Sequence, residues 1–226
     1  MPSDIPFLKE RLAEAARYAL MRRLLPAIRH NIAGTLQPIG MMSAMMERRM
    51  KAPMPDMAQL GKNTQALSTL SREAAAVSLG LMAWLAPKDN EPVSLGSAVE
   101  EALGLMTTEL SFRGFSIANE TAGLQMQLPR GILRTVFTAS LIALTDAVDG
   151  AAEIVVTATT DDDQTHLKVM LVPGGSPEMV GGSSRVQTYR NLGWDDVQLL
   201  ADAEGVSLRH DARQVHLCYA MPTLAA

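Results

Sequence analysis

The sequence predicts an α+β protein in which a long helical hairpin precedes an α/β sandwich with its helices on one face. Two patterns carry that expectation. In the first half apolar residues recur at alternating steps of three and four, whereas the second half alternates helical patterns with β-branched runs. Between them the string PKDNEP, Pro87 to Pro92, sets a proline pair around a charged turn. The boundary falls there, giving 1–88 for the hairpin and 89–226 for the sandwich.

The elements follow in order. Tyr18, Met21, Leu25, Ile28, Ile32, Thr35, Ile39, Met42 and Met46 form a heptad seam on the first helix. A proline-bearing break from Lys51 to Asp56 follows, and the seam resumes as Leu60, Asn63, Leu67, Leu70, Ala74, Val77, Leu81 and Trp84. Two helices shield such a seam from only part of its surroundings, and each fully buried apolar side chain contributes about 1.5–3 kcal/mol. A second copy of the hairpin would close a four-helix bundle, so a homodimer is expected, the alternative being that the hairpin docks onto the second domain.

In the second half Val93 to Gly114 reads as a helix with Gly114 as its stop, and Phe115–Glu120 and Leu124–Leu128 as short strands. Pro129 suits the first turn of a helix reaching Asp149, with Ile132, Leu133, Val136, Phe137, Leu141 and Leu144 on its buried side. Glu153–Thr159 and Thr165–Val172 flank the turn Asp161, Asp162, Asp163 as a hairpin. A glycine- and serine-rich loop leads to a helix at Trp194–Glu204, then strands at Val206–His210 and Val215–Met221.

Composition narrows the chemistry. Of 226 residues, 47% are hydrophobic and 19% charged, with a net charge of −4, so no basic surface for nucleic acid dominates. With four histidines and one cysteine, Cys218, no intramolecular disulfide and no Cys/His zinc cluster is expected. The uncharged stretches Asn31–Met46 and Ala74–Pro87 are too short to span a bilayer. The expectation is a cytoplasmic protein without metal, cofactor, membrane or nucleic-acid partner. Cys218 reads as a buried strand residue, His210 and His216 as candidates to face one another across neighbouring strands, and His166 as strand surface.

His30 falls at the heptad position farthest from the seam, where an imidazole faces solvent. On periodicity alone it is an ordinary surface histidine. Its surroundings, His30-Asn31-Ile32-Ala33-Gly34-Thr35-Leu36-Gln37-Pro38-Ile39, resemble the phosphoacceptor box of sensor histidine kinases. In that family an exposed histidine on the first helix of a dimeric hairpin is phosphorylated, and a proline followed by isoleucine often closes the box, as Pro38 and Ile39 do here. The resemblance implies His30 as phosphoacceptor, with Asn31 and Thr35 orienting it. Two positions depart from the family: Asn31 stands where an acid usually accepts or orients the imidazole proton, and Gly34 where kinases with phosphatase activity often carry Thr or Asn.

From Val93 to Met221 the element order resembles the ATP-binding domain that follows the hairpin in these kinases, in degenerate form. Asp146 occupies the place of the asparagine that holds the magnesium of ATP. After the strand Leu167–Leu171, Val172-Pro173-Gly174-Gly175-Ser176 lacks the adenine-reading aspartate of the family's Asp-x-Gly-x-Gly. The glycine-rich lid is represented only by Gly181-Gly182-Ser183-Ser184 and Asn191-Leu192-Gly193-Trp194. This combination is similar to dimeric histidine phosphotransferases that descend from histidine kinases. It implies a phosphocarrier of a two-component phosphorelay, not an autokinase, whose partners are response-regulator receiver domains and a hybrid histidine kinase. The alternatives are an atypical kinase that still uses ATP through Asp146, and a non-enzymatic, pseudokinase-like regulator that binds a kinase or receiver.

Overall fold

The computed structural model describes residues 4–85, 91–148, 150–161, 164–174 and 192–220. Helix α1 (Asp4–Met50) is continuous through Pro26 and Pro38. Each proline lacks an N–H, so the carbonyls of Arg22 and Gly34 lose their helical donor. Asp56 ends the connection that follows, its Oδ1 accepting from Gln59 N at 3.0 Å, and starts α2 (Met57–Leu85). The described residues up to Leu24, together with those from 91 onward, form one compact unit, and Leu25 to the end of α2 a second.

In the second unit α2 turns its seam inward: Leu60, Asn63, Ala74, Leu81 and Trp84 are buried, and Leu67, Leu70 and Val77 half-buried. On α1 the seam holds in part. Ile28 is buried and Thr35, Ile39, Met42 and Met46 are half-buried, whereas Leu25 and Ile32 are exposed. Ahead of Leu25 the buried stripe is a different one. Tyr18 is 64% exposed, while Ala13, Ala16, Leu20 and Leu24 are buried. A heptad count that follows large side chains passes over such alanines, which let a helix approach its neighbours closely.

The first unit bears out the α+β order. Ser94 caps helix α3 (Leu95–Phe112), its hydroxyl accepting from Ser97 N at 3.3 Å, so that Val93 and Ser94 belong to a short strand β1 (Pro92–Ser94) instead of the helix. Gly114, at φ +84°, turns the chain into β2 (Phe115–Asn119) as the sequence implies. Gly96 meets a closer constraint. A Cβ there would lie 2.7 Å from the carbonyl oxygen of Thr121, so the loop after β2 sits directly on the start of α3. β3 (Gln127–Pro129) pairs antiparallel with β1. Pro129 then opens a helical rod made of α4 (Arg130–Ile132), a π-helical turn (Leu133–Phe137) and α5 (Thr138–Asp146), which ends three residues before the expected Asp149.

The expected hairpin is present as β4 (Ala152–Thr160) and β5 (Gln164–Pro173), antiparallel with Thr160 opposite Thr165. Asp162 and Asp163 of its turn lie outside the described residues, as do Gly175–Asn191 and Met221. Helix α6 (Trp194–Ala203) and strands β6 (Ser207–His210) and β7 (Gln214–Ala220) complete the unit. The sheet runs β2-β4-β5-β7-β6, with β2 parallel to β4 and every other pair antiparallel. Alternation decides its two faces. Ile154, Val156, Leu167, Val169, Val215 and Leu217 are fully buried, and α3, α5 and α6 contact β2, β7 and β6. The alternate residues, among them His166, Lys168, His216 and Cys218, are half-buried on the outer face. Among the described residues no helix is long and apolar enough to cross a membrane.

Candidate functional site

His30 lies in the C-terminal part of α1, exposed as the heptad count requires, with no hydrogen bond to its ring among the described residues. One turn further on the same face comes Gly34, and nothing lies within 4 Å of the position a Cβ would take there. Among the described residues the helix surface one turn beyond His30 is therefore uncovered. Asn31 and Thr35 are half-buried. The Thr35 hydroxyl donates to its own helix, to Asn31 O at 3.2 Å and Ile32 O at 3.0 Å, so it braces the turn that carries Asn31 and does not point a free donor at His30. Three turns along, Met41 and Met45 with Arg48 and Arg49 line an open hollow of about 570 Å³.

An exposed imidazole of this kind can act as a nucleophile through its unprotonated nitrogen. Asn31 can hydrogen-bond the ring but cannot take a proton from it. The helix thus offers an accessible imidazole whose neighbour in sequence, Asn31, is not a general base.

Asp146, at the end of α5, is already engaged. Arg113 Nη1 donates to its Oδ1 at 2.7 Å while Arg113 Nη2 donates to Thr145 O at 2.6 Å. From α1, Arg23 Nη2 reaches Oδ1 at 3.2 Å and Nε reaches Oδ2 at 3.3 Å. The same guanidinium also holds Glu109 of α3, Nη1 to Oε2 at 3.0 Å and Nη2 to Oε1. Burial opposes the Arg23 charge, but the hydrogen bonds to Glu109 and Asp146 outweigh it and hold the group above its ordinary range. Both oxygens of Asp146 are taken by cationic donors. A magnesium ion would have to displace two arginines and then sit beside them. These residues do not fit a magnesium-bound nucleotide.

The other nucleotide contacts fare no better. Val172 and Pro173 close β5 where the family's aspartate would stand, with Val172 exposed. Gly181–Ser184 and Asn191 lie outside the described residues. Gly193 begins α6, its N–H donating to Asp196 Oδ2 at 3.1 Å, which turns that helix start inward on itself. Among the described residues no group of three or more His, Cys, Asp or Glu could hold a metal.

The remaining histidines also resolve. His210 and His216 do not face each other: the β6–β7 register sets Arg209 opposite His216 and His210 opposite Val215. His216 instead stacks on His166, ring centroids 5.3 Å apart, and His210 on Trp194 at 3.8 Å. Cys218 is half-buried on the outer face rather than in the core, with Sγ 2.8 Å from Gln164 Oε1. Burial and then the Asp161 carboxylate push its thiol up, toward the unreactive form. The residues that sequence reasoning missed are Arg23, Glu109 and Arg113. They stand 123, 37 and 33 positions from Asp146, and no local pattern announces contacts at that range.

No family model matches the chain, and no curated protein does. Similar solved structures are histidine kinases. The kinase AdeS of Acinetobacter baumannii is 15% identical with a TM-score of 0.46, the match covering 86% of this chain and 98% of that one. A histidine kinase of Burkholderia phymatum is 13% identical with a TM-score of 0.41, covering 86% and 97%. The kinase ThkA, solved in complex with the response regulator protein TrrA, is 13% identical with a TM-score of 0.41, covering 98% and 67%.

Proposed function

We propose that this chain is a histidine phosphotransferase of a two-component phosphorelay, carrying phosphate between receiver aspartates through His30. The observation that carries the reading is the contrast between two sites. His30 stands exposed in a string resembling a phosphoacceptor box, while Asp146, the residue that would anchor a nucleotide's metal, is bound by Arg23 and Arg113. Among the described residues an exposed histidine is kept, while the carboxylate that would meet a nucleotide's metal is engaged elsewhere.

The step balances without one. A neutral imidazole nitrogen of His30 attacks the phosphorus of a receiver's aspartyl phosphate. The P–N bond forms as the acyl P–O bond breaks, and the aspartate leaves as carboxylate. The second ring nitrogen keeps its proton. A second receiver aspartate reverses the step, its oxygen attacking phosphorus and returning the electron pair to the imidazole. Each receiver supplies its own carboxylate and metal, so neither transfer needs the general base that Asn31 cannot be. Asn31 orients the ring, and Thr35 acts as a positioning residue by bracing the Asn31 carbonyl. Met41 and Met45, polarizable and adaptable, form part of the receiver-docking surface along the helix. The exposed Leu25, Ile32 and Leu36 pack against a second copy, the two hairpins forming a four-helix bundle.

The test is transfer from a panel of radiolabelled phospho-receivers to the full chain. Acid-labile label on the wild type and none on His30→Ala is expected, and failure of every receiver to label the wild type overturns the reading. The bound state of Asp146 also suits a non-enzymatic regulator, which would keep its inhibitory activity in His30→Ala.

A further inference from the structure

On the outer face of the sheet, opposite the helices, three basic side chains share one cross-strand row. Lys168 on β5 is the register partner of His216 on β7, which is the partner of Arg209 on β6. Side chains directly opposite one another on one face lie within about 4.5–5.5 Å at Cβ, and like charges so placed destabilise a sheet. No ion pair to Lys168 or Arg209 is present among the described residues. β4 offers only Thr157 opposite Lys168. Its acid, Glu153, stands four residues further along, roughly 13 Å away. The hollow over the row, about 450 Å³, is lined by Lys168, Arg209, His210, Asp211, Gln214 and His216. Asp211 is held on its own turn, accepting from Arg213 N at 2.8 Å, Gln214 N at 3.0 Å and Gln214 Nε2 at 2.7 Å, bonds that favour its ionised form, so it brings one negative charge to the lining.

We propose that this row is a binding site for the phosphoryl group of a small soluble phosphate compound. Lys168 supplies a point charge, Arg209 a planar fork of donors, and His216 a third donor once protonated. With His216 neutral the row carries two positive charges, and with it protonated three, against the single negative charge of Asp211 in the lining. That complements a phosphoryl dianion better than a single carboxylate. The hollow is large enough for the ester beyond the phosphoryl group. His166 fixes the ring, stacking on His216 while its Nε2 lies 2.9 Å from Asp161 Oδ2. In the free protein burial, then the charges of His166, Arg209 and Lys168, hold His216 below its ordinary value. A bound dianion offsets that field, so binding takes up a proton and tightens as pH falls toward 6.

The site is tested on the full chain with inorganic pyrophosphate at constant ionic strength, read by histidine ring NMR. Saturable movement of the His216 signal, with its pKa raised by about one unit, is expected. Lys168→Gln and Arg209→Gln should each weaken binding by about ten-fold, with thermal unfolding confirming that both variants fold. A poly-glutamate peptide of matched charge forms the second arm. Equal response of wild type and both variants, or no saturation with pyrophosphate, overturns the proposal. Saturation by poly-glutamate alone also overturns it, and would make the face a dock for an acidic protein.

Discussion

Replacing Arg23 by methionine tests whether the start of α1 is tied to the sheet unit by charge. The Arg23 side chain is 11% exposed, and its partners Glu109 and Asp146 are 25% and 33% exposed. Deleting hydrogen bonds to charged partners costs about 1.5–3 kcal/mol, and breaking a fully buried ion pair about 3–5 kcal/mol. Neither range applies whole. Water reaches both carboxylates, and Arg113 stays on Asp146 at 2.7 Å. Methionine also preserves much of the stem's packing. The expected loss is therefore about 2–3 kcal/mol. Asp146→Asn, which leaves Arg23 on Glu109 and Arg113 on the Thr145 carbonyl, should lose about 1–2 kcal/mol. The double variant should lose less than the sum, with a coupling of about 1 kcal/mol. Urea unfolding followed by circular dichroism reads all three as midpoint shifts at unchanged slope. An Arg23→Met midpoint within about 0.5 kcal/mol of wild type would show that the network stabilises nothing.

Three further outcomes follow from the same geometry. Magnesium-dependent ATP binding should be undetectable in the wild type and in Asp146→Asn by fluorescent-nucleotide titration, because both arginines remain; at an effective dielectric of about 20, a unit cation 4 Å away opposes each charge on the metal by about 4 kcal/mol. Gly96→Ala, whose Cβ would meet the Thr121 carbonyl at 2.7 Å, should destabilise by about 1–3 kcal/mol in urea melts, whereas Gly34→Ala, with open space around it, should stabilise by about 0.5–1 kcal/mol. The His216 pKa lies below its unfolded value of 6.5, so the unfolded chain binds the extra proton first; stability should fall as pH drops below about 6.5, and His216→Gln should flatten that slope in thermal melts from pH 5 to 8.

The sequence carried the fold wherever a local period or a local turn decides it. The β4–β5 hairpin reads from two β-branched runs around an acidic turn, and Gly114 marks the end of α3 because only a residue tolerant of positive φ turns there. The exposure of His30 follows from heptad phase. What was not legible depends on partners distant in sequence. The stripe Ala13, Ala16, Leu20, Leu24 is chosen by its neighbours in the sheet unit, and alanines give a hydrophobic count too little weight to show it. Asp146 reads in sequence as a carboxylate able to meet magnesium. Only the fold shows Arg23 and Arg113 already on it. The expectation of facing His210 and His216 failed on register: a one-residue offset between β6 and β7 sends alternate side chains to opposite faces.

On the proposed reading, the departures from the kinase pattern point in one direction. A kinase activates its histidine with a neighbouring acid, brings ATP to it and holds the metal. Here Asn31 cannot accept a proton, and the metal position is filled by a carboxylate that two arginines have turned into a structural joint between α1, α3 and α5. Neither change touches the imidazole or the open space beside Gly34. For a phosphocarrier this matters, because a functioning ATP site would charge His30 regardless of the upstream receiver and erase the signal the relay transmits. Losing the metal ligand alone would leave a weak nucleotide site. Converting it into an ion network makes the loss contribute to folding, so a reversal that restores asparagine gives up stability before it regains any nucleotide.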